Sequence, residues 1–377
     1  MSTKQETLNI ETMKFTSKTK WSVTLLLQLT LAHVVMACTG IILRGEDGTT
    51  VAARTMEFSF DIQSNILIVP AGTEITTLSW DDANEGFTYK AKYGFGGANC
   101  LGKPVVVDGV NEMGLYFGAF YFAGSATFEK LSDENRAKAI SSEELGNWIL
   151  SQFASIKELK EALPQKVVVG THIDVIDGFA PFHYTVTDSS GASVVIQYTK
   201  RGLTFFDNTV NAVTNDPTFD WHKTNLQNYV GLSPVNREEI TVGKLKLRPF
   251  GQGTGLIGLP GDHSSPSRFV RAVAYANTVL PSANSAETVF NAFHILNNFD
   301  IPKGSIREAS GDELTDYTVW TSAADTKNGI YYYKTYKTQA VESVNIRKAV
   351  ADMKAPKVLV MESGFSVRDR TEEANSK

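Results

Sequence analysis

An α+β fold built in layers, and not a regularly wound βαβ chain, follows from three features of the sequence. Short apolar runs bounded by Gly, Asp and Asn fill the stretch 38–115. Apolar residues at helical spacing then appear in two blocks, near 141–163 and 220–296. Strand-like alternation returns between and after those blocks, so strands and helices are grouped, which is the pattern of stacked layers. No internal repeat stands out.

The elements follow in order. Residues 38–43 read as a strand, Gly45-Glu46-Asp47-Gly48 as a turn, and 50–54 as the returning strand, a hairpin that brings Arg54 back beside Cys38. A second strand pair is expected between 65–69 and 90–93, and Val105-Val106-Val107 leads into 108–115, read as a turn between two apolar runs. Ser141-x-x-Glu144 is a capping box, and behind it Leu145, Trp148, Ile149, Phe153 and Ile156 recur at helical spacing and face a core. Ser155-x-x-Glu158 opens a second helix toward Leu163, before Pro164. Strands are expected at 182–187 and 193–198 across the turn Asp188-Ser189-Ser190-Gly191, helices at 220–230, 267–279 and 286–296, and alternating strands at 317–320 and 330–336.

Composition narrows the class. Of 377 residues, 42% are hydrophobic and 10% aromatic, enough for a large packed core. Thirty-six basic against 41 acidic residues give a net charge of −5, so there is no bulk basic face for a phosphate backbone and nucleic acid is not an expected partner. Two cysteines, Cys38 and Cys100, make neither a disulfide scaffold nor a four-cysteine zinc site. Cys100 reads as a small buried thiol, with a Cys38–Cys100 disulfide as the alternative.

The first 37 residues run from basic (Lys14, Lys18, Lys20) through an uncharged, Leu- and Val-rich stretch at 21–37 to the small residue Ala37. That order is the layout of a secretory signal peptide, so residues 1–37 are expected to be removed and 38–377 to form one catalytic domain, periplasmic or secreted. Gln28, Thr30 and His33 interrupt the stretch, which makes it poor as a spanning helix. Met13 is an alternative start. Two mature ends compete. Val35-Met36-Ala37-Cys38 loosely matches a lipobox, which would leave Cys38 acylated on a lipid-anchored, non-catalytic binding protein. Plain cleavage after Ala37 instead leaves a thiol and a free α-amine on one residue, with reference pKa values near 8.5 and about 7.7–8.0. Such a cysteine carries its own base: the thiolate attacks an amide while the neutral amine holds and returns the proton, and a nearby cation such as Arg54 favours the thiolate.

Cys38-Thr39 at the mature end, Arg54-Thr55-Met56-Glu57, the run Asp108-Gly109-Val110-Asn111-Glu112-Met113-Gly114-Leu115, Val213-Thr214-Asn215-Asp216-Pro217, and 258–269 with Arg268 together resemble the choloylglycine hydrolase family, which includes penicillin V acylases and bile salt hydrolases. The resemblance runs in order from Cys38 to about Ile346. It implies a four-layer αββα N-terminal-nucleophile hydrolase fold with two stacked antiparallel sheets, hydrolysis of linear amides bearing an apolar acyl group, and a homotetramer. It implies Cys38 as nucleophile with its amine as base, Arg54 beside the thiolate, Asn215 as side-chain oxyanion donor, Tyr121 as the position whose backbone N–H completes the hole, and Arg268 as a second arginine ordering the charged network. Glu57 departs from the pattern, which usually has aspartate near the nucleophile's amine. Met56, Phe58, Phe60 and Phe122 are candidate substrate contacts; Phe58, Phe60, Tyr121 and Phe122 could form the acyl pocket, with core packing as the alternative for each. Tyr121 leans toward the penicillin V acylases, where bile salt hydrolases often have asparagine; acyl-homoserine lactones are a third substrate class.

Other motifs carry less. Gly253-x-Gly255-x-x-Gly258 spells a dinucleotide fingerprint, but Pro260 and Gly261 stand where its helix should begin. The six histidines, His222 and His263 among them, show no paired metal spacing, so neither a metal nor a cofactor is expected.

Overall fold

The structure is a computed structural model and describes residues 37–78, 86–174, 177–307, 315–361, 364–365 and 367–375. The expected leader, 1–37, lies outside these residues except for Ala37. Two antiparallel sheets form the centre. The first holds, in spatial order, β14 (Ala212–Val213), β1 (Cys38–Arg44), β2 (Thr50–Phe58), β17 (Tyr317–Asp325), β18 (Ile330–Thr335) and β19 (Glu342–Asn345). The second holds β13 (Gly202–Asp207), β12 (Ser193–Thr199), β11 (Phe182–Thr187), β8 (Tyr116–Tyr121), β7 (Val106–Asn111), β6 (Phe95–Asn99), β3 (Ile66–Val69) and β20 (Lys357–Leu359). Among the described residues, three small ribbons accompany them: β4 (Glu74–Thr76) with β5 (Thr88–Lys90), β9 (Ala139–Ser141) with β10 (Val167–Val169), and β15 (Ile240–Val242) with β16 (Leu245–Leu247).

Helices α4 (Ser265–Thr278) and α5 (Ser285–Leu296) cover the outer face of the first sheet against β1, β2 and β17, while α1 (Leu145–Gln152) covers the second against β7 and β8. Helix, sheet, sheet and helix thus stack as the expected four layers. Strand β2 is buried along its whole length because one face meets the other sheet and the other face meets α5. The further helices among the described residues are α2 (Ile156–Ala162), α3 (Phe219–Asn225), α6 (Ile346–Ala351) and α7 (Thr371–Asn375).

Several local expectations hold. The hairpin β1–β2 forms around the predicted turn, and Leu145, Trp148, Ile149, Phe153 and Ile156 are all buried. Ser155 caps α2 by accepting the Glu158 N–H, and Glu158 returns a bond to the Ala154 N–H. Three expectations are corrected. Strand β3 pairs with β6 and β20, not with 90–93; Lys90 belongs to the ribbon β4–β5. Strand β6 (Phe-Gly-Gly-Ala-Asn) has turn-like letters for a packing reason: a Cβ on Gly97 would clash with the Asp108 carbonyl oxygen and the Gly109 Cα, both closer than 3.0 Å. Second, 108–111 is strand, and the turn is confined to 112–114, where Gly114 has φ +85°. Third, the Ser141–Glu144 box does not cap α1 through Ser141. Glu144 itself precedes the helix, and its carboxylate gathers the Ser141 N–H and hydroxyl and the Leu78 N–H. Both cysteines are free thiols, so no disulfide joins them.

Candidate functional site

Cys38 is fully buried at the first position of β1. In the hairpin it stands opposite Met56, and Arg54 stands opposite Gly40. Residues facing each other across an antiparallel pair point to the same side, so the Cys38, Met56 and Arg54 side chains share the face toward the second sheet. The Cys38 Sγ lies 3.9 Å from the Met56 Sδ. Arg54 donates through Nη1 to the Ala119 carbonyl of β8 and through Nε to the Thr55 carbonyl, and its guanidinium lies 4.1 Å above the Phe120 ring.

The backbone of Cys38 is held from the other side. Asn215, two residues beyond β14, accepts the Cys38 N–H on Oδ1 at 2.7 Å and donates through Nδ2 to the Tyr121 carbonyl at 2.8 Å. Arg268 lies in the first turn of α4, a helix opened by Ser264 with Pro266 at a first-turn position. Its guanidinium reaches the Cys38 carbonyl at 2.5 Å, the Thr39 hydroxyl at 2.9 Å and the Asn215 Oδ1 at 2.8 Å. Glu57 is buried beside them; its Oε1 accepts from the Thr318 hydroxyl at 3.1 Å, while Oε2 has no hydrogen-bond partner among the described residues. Burial pushes Glu57 up to about 8, against the pull of Arg268. Burial also raises the Cys38 thiol, with Arg54 and Arg268 opposing and Glu57 reinforcing. In the intact chain the sulfur is therefore held toward its protonated form.

The structure brings Cys38, Arg54, Met56, Glu57, Asn215 and Arg268 together, with Tyr121 joined through its carbonyl. The other aromatic candidates differ. Phe58 is buried and meets Phe60 edge-on at 4.4 Å, and Phe122 is fully buried and stacks on His183 at 4.4 Å. Tyr121 and Phe60 are only partly buried. A cleft of about 620 Å³ starts at Gly124, three residues past Tyr121, and reaches Arg201, Asp220 and Trp221 on and near α3; Cys38 is not among its lining residues.

Two histidines that hold Asn215 in place carry no sequence signal of that role. The His183 Nε2–H donates to the Thr214 carbonyl at 2.8 Å while Nδ1 accepts from Gln197, and the His222 Nε2–H donates to the Asn215 carbonyl at 2.9 Å. Burial depresses them to about 3 and about 4. A histidine kept neutral by burial stabilises the fold fully above its unfolded value near 6.5, and that contribution is lost as pH falls through the folded value. The melting-temperature gap between the protein and its His222→Gln variant should therefore narrow as pH falls from 6.5 to about 4 in a calorimetric series. A constant gap would contradict the neutral buried ring.

A thiol, two buried guanidiniums, a buried carboxyl and an amide cluster at the start of a central strand. Residues 38–359 match the linear amide C–N hydrolases, choloylglycine hydrolase family, and the chain belongs to that family. It is 33% identical over 315 residues to the bile salt hydrolase/transferase of Clostridium perfringens, covering 84% of this chain and 94% of that protein. A crystal structure of a variant of the conjugated bile acid hydrolase of Clostridium perfringens superposes with a TM-score of 0.78 at 32% identity, covering 88% of this chain and 99% of that one. The penicillin V acylase of Pectobacterium atrosepticum is 24% identical over 346 residues, covering 86% of this chain and 85% of that protein.

Proposed function

We propose that this protein, once residues 1–37 are removed after export, hydrolyses linear amides with Cys38 as an N-terminal nucleophile. The observation that carries the reading is the convergence of Arg54, Glu57, Asn215 and Arg268 on both ends of Cys38, one set at the sulfur and one at the backbone. In the intact chain the Cys38 nitrogen is an amide, bonded to Asn215. Cleavage turns it into an amine near Glu57, whose Oε2 has no hydrogen-bond partner among the described residues and whose carboxyl, raised by burial to about 8, becomes a counter-charge for the ammonium form only as it ionises.

The reaction then runs in two balanced steps. The Cys38 thiol proton passes to the α-amine as Sγ bonds to the substrate carbonyl carbon, and the oxyanion is met by the Asn215 Nδ2–H and the Tyr121 N–H. Collapse breaks the C–N bond, the ammonium returns the proton to the leaving amine, and a thioester remains. Water attacks that thioester with the amine again as base, releasing the acid and restoring the thiol. Arg54 favours the thiolate, and Arg268 fixes the Cys38 carbonyl and the Asn215 side chain.

Conjugated bile salts are the first substrate class, on the strength of the relative that is 33% identical over nearly its full length. Penicillin V is the second, because Tyr121 stands where bile salt hydrolases often have asparagine. Glycocholate, penicillin V and an acyl-homoserine lactone assayed side by side test the reading. Release of free acid from at least one, lost in Cys38→Ala, is expected; no turnover of any would remove the amide-hydrolase reading.

A homotetramer is the proposed assembly. The ribbon β15–β16 exposes Ile240, Val242, Leu245 and Leu247, and Phe250 just beyond is 99% exposed, an apolar surface of the kind that marks a contact with another copy. Light scattering is expected to give four times the chain mass, and Leu245→Asp with Phe250→Asp to reduce it. A monomer for the unmutated protein would contradict the assembly.

A further inference from the structure

The chemistry above uses Arg54 but leaves a second buried acid, Asp108 on β7, without a role. Asp108 lies wholly between the two sheets. Its Oδ1 accepts from the Ser322 hydroxyl at 2.6 Å and the Tyr331 hydroxyl at 2.7 Å, and its Oδ2 from the Tyr116 hydroxyl at 2.6 Å. The donors come from both sheets, since Tyr116 is on β8, Ser322 on β17 and Tyr331 on β18. Three hydroxyls within hydrogen-bond distance of two oxygens satisfy a carboxylate, which only accepts. Burial raises the Asp108 pKa, and Arg54 with the three hydroxyls opposes that rise.

Strand register places this carboxylate next to Arg54. Ser322, a donor to Asp108, is the cross-strand partner of Arg54. Asp108 itself pairs with Gly118, the neighbour of Ala119, whose carbonyl accepts from Arg54. Among the described residues, the Arg54 guanidinium touches carbonyls, the Met56 sulfur and aromatic faces, none of them a carboxylate. A fully buried cation with neutral contacts alone is costly, and a fixed anion one strand away relieves it.

We propose that Asp108 is the counter-charge of Arg54, a positioning residue that sets how strongly Arg54 acts on the Cys38 thiol. Its place in catalysis rests on reading Cys38 as the nucleophile; the charge pairing does not. The charged groups facing Cys38 are Arg54 and Glu57 from β2 and Arg268 from α4, and those facing Arg54 from the second sheet are Asp108 and Tyr116. With Asp108 ionised, part of the Arg54 field at the sulfur is cancelled. The thiol then keeps a proton it can exchange with the α-amine, where a bare Arg54 would hold a permanent and less nucleophilic thiolate.

The test is a thiolate titration by ultraviolet absorbance, taken as the full chain minus its Cys38→Ser counterpart. Cys100, pushed up to about 12 by burial, cancels in that difference. Asp108→Asn is expected to lower the Cys38 midpoint by about one pH unit, roughly tenfold more thiolate at a given pH below it; an unmoved or raised midpoint overturns the proposal. Val194→Ala, in the buried strand β12, should lower the melting temperature with the midpoint unmoved, and an equal shift there would assign the change to loosened packing and overturn it too. Should Asp108→Asn fail to fold, the double variant Arg54→Met, Asp108→Asn, which removes both charges, is expected to fold; a double variant that also fails overturns the pairing. None of these readouts needs a substrate. A protein that shows the shift yet hydrolyses no amide would sink the proposed activity and leave the pairing standing.

Discussion

Cys38→Ala is expected to reduce kcat for amide hydrolysis by on the order of 10⁴-fold or more, because it removes the atom that forms the thioester and no other group can replace it. The side chain is small and buried against Met56, so the melting temperature should move by only a few degrees. Cys38→Ser keeps the amine and the hydrogen-bonding shape but offers a hydroxyl of far higher pKa, and it should fall nearly as far. Single-turnover assays with each candidate substrate read both losses. A Cys38→Ala protein that retains more than about a hundredth of the activity would show that the chemistry lies elsewhere.

The second large effect is expected at Asn215. Its Oδ1 accepts from both the Cys38 N–H and Arg268, and its Nδ2 donates to the Tyr121 carbonyl. Asn215→Ala removes all three, so kcat should drop by about 10²–10³-fold through the lost oxyanion donor. Stability should fall by about 1–3 kcal/mol through the buried partners left unsatisfied. Asn215→Asp separates the two effects. It keeps the acceptor for Cys38 and Arg268, so stability should largely return, while the missing N–H donor keeps kcat low. Recovery of kcat in Asn215→Asp would argue against a donor role.

Much of this site is legible in the sequence because its parts are local or chemically rare. A cysteine directly after an export-like segment, and a hairpin whose turn is spelled Gly-Glu-Asp-Gly, put Cys38 and Arg54 together from the order of residues alone. The register refines it: Arg54 is diagonal to Cys38, and Met56 is the residue directly opposite. What stays hidden is set by long-range packing. Strand β6 looks like a turn because Gly97 answers to the approach of β7 and Gly96 to that of β3 and Ile346, contacts with no local trace. Asp108 carries a turn letter without serving a turn, whereas Asn111 opens the 112–114 turn, its Oδ1 accepting the Met113 and Leu115 N–H groups. Asp108 serves hydroxyls more than 200 residues away, and Asn111 ties the Leu150 and Phe153 carbonyls at the end of α1. His183 and His222 are single histidines in ordinary apolar patterns, and only the folded chain shows that they grip the successive carbonyls of Thr214 and Asn215.

The central claim is that Cys38 works only as a free N-terminal residue, and one comparison tests it most directly. Two proteins are prepared, one beginning at Cys38 and one retaining Ala37 before it, and each is checked by intact mass before turnover is measured. The account predicts unmodified mass and full activity for the first, and for the second a folded protein with no measurable hydrolysis, because its nitrogen is still an amide bonded to Asn215. Equal activity in both, or fatty acyl mass on Cys38 of the protein recovered after export, would contradict it.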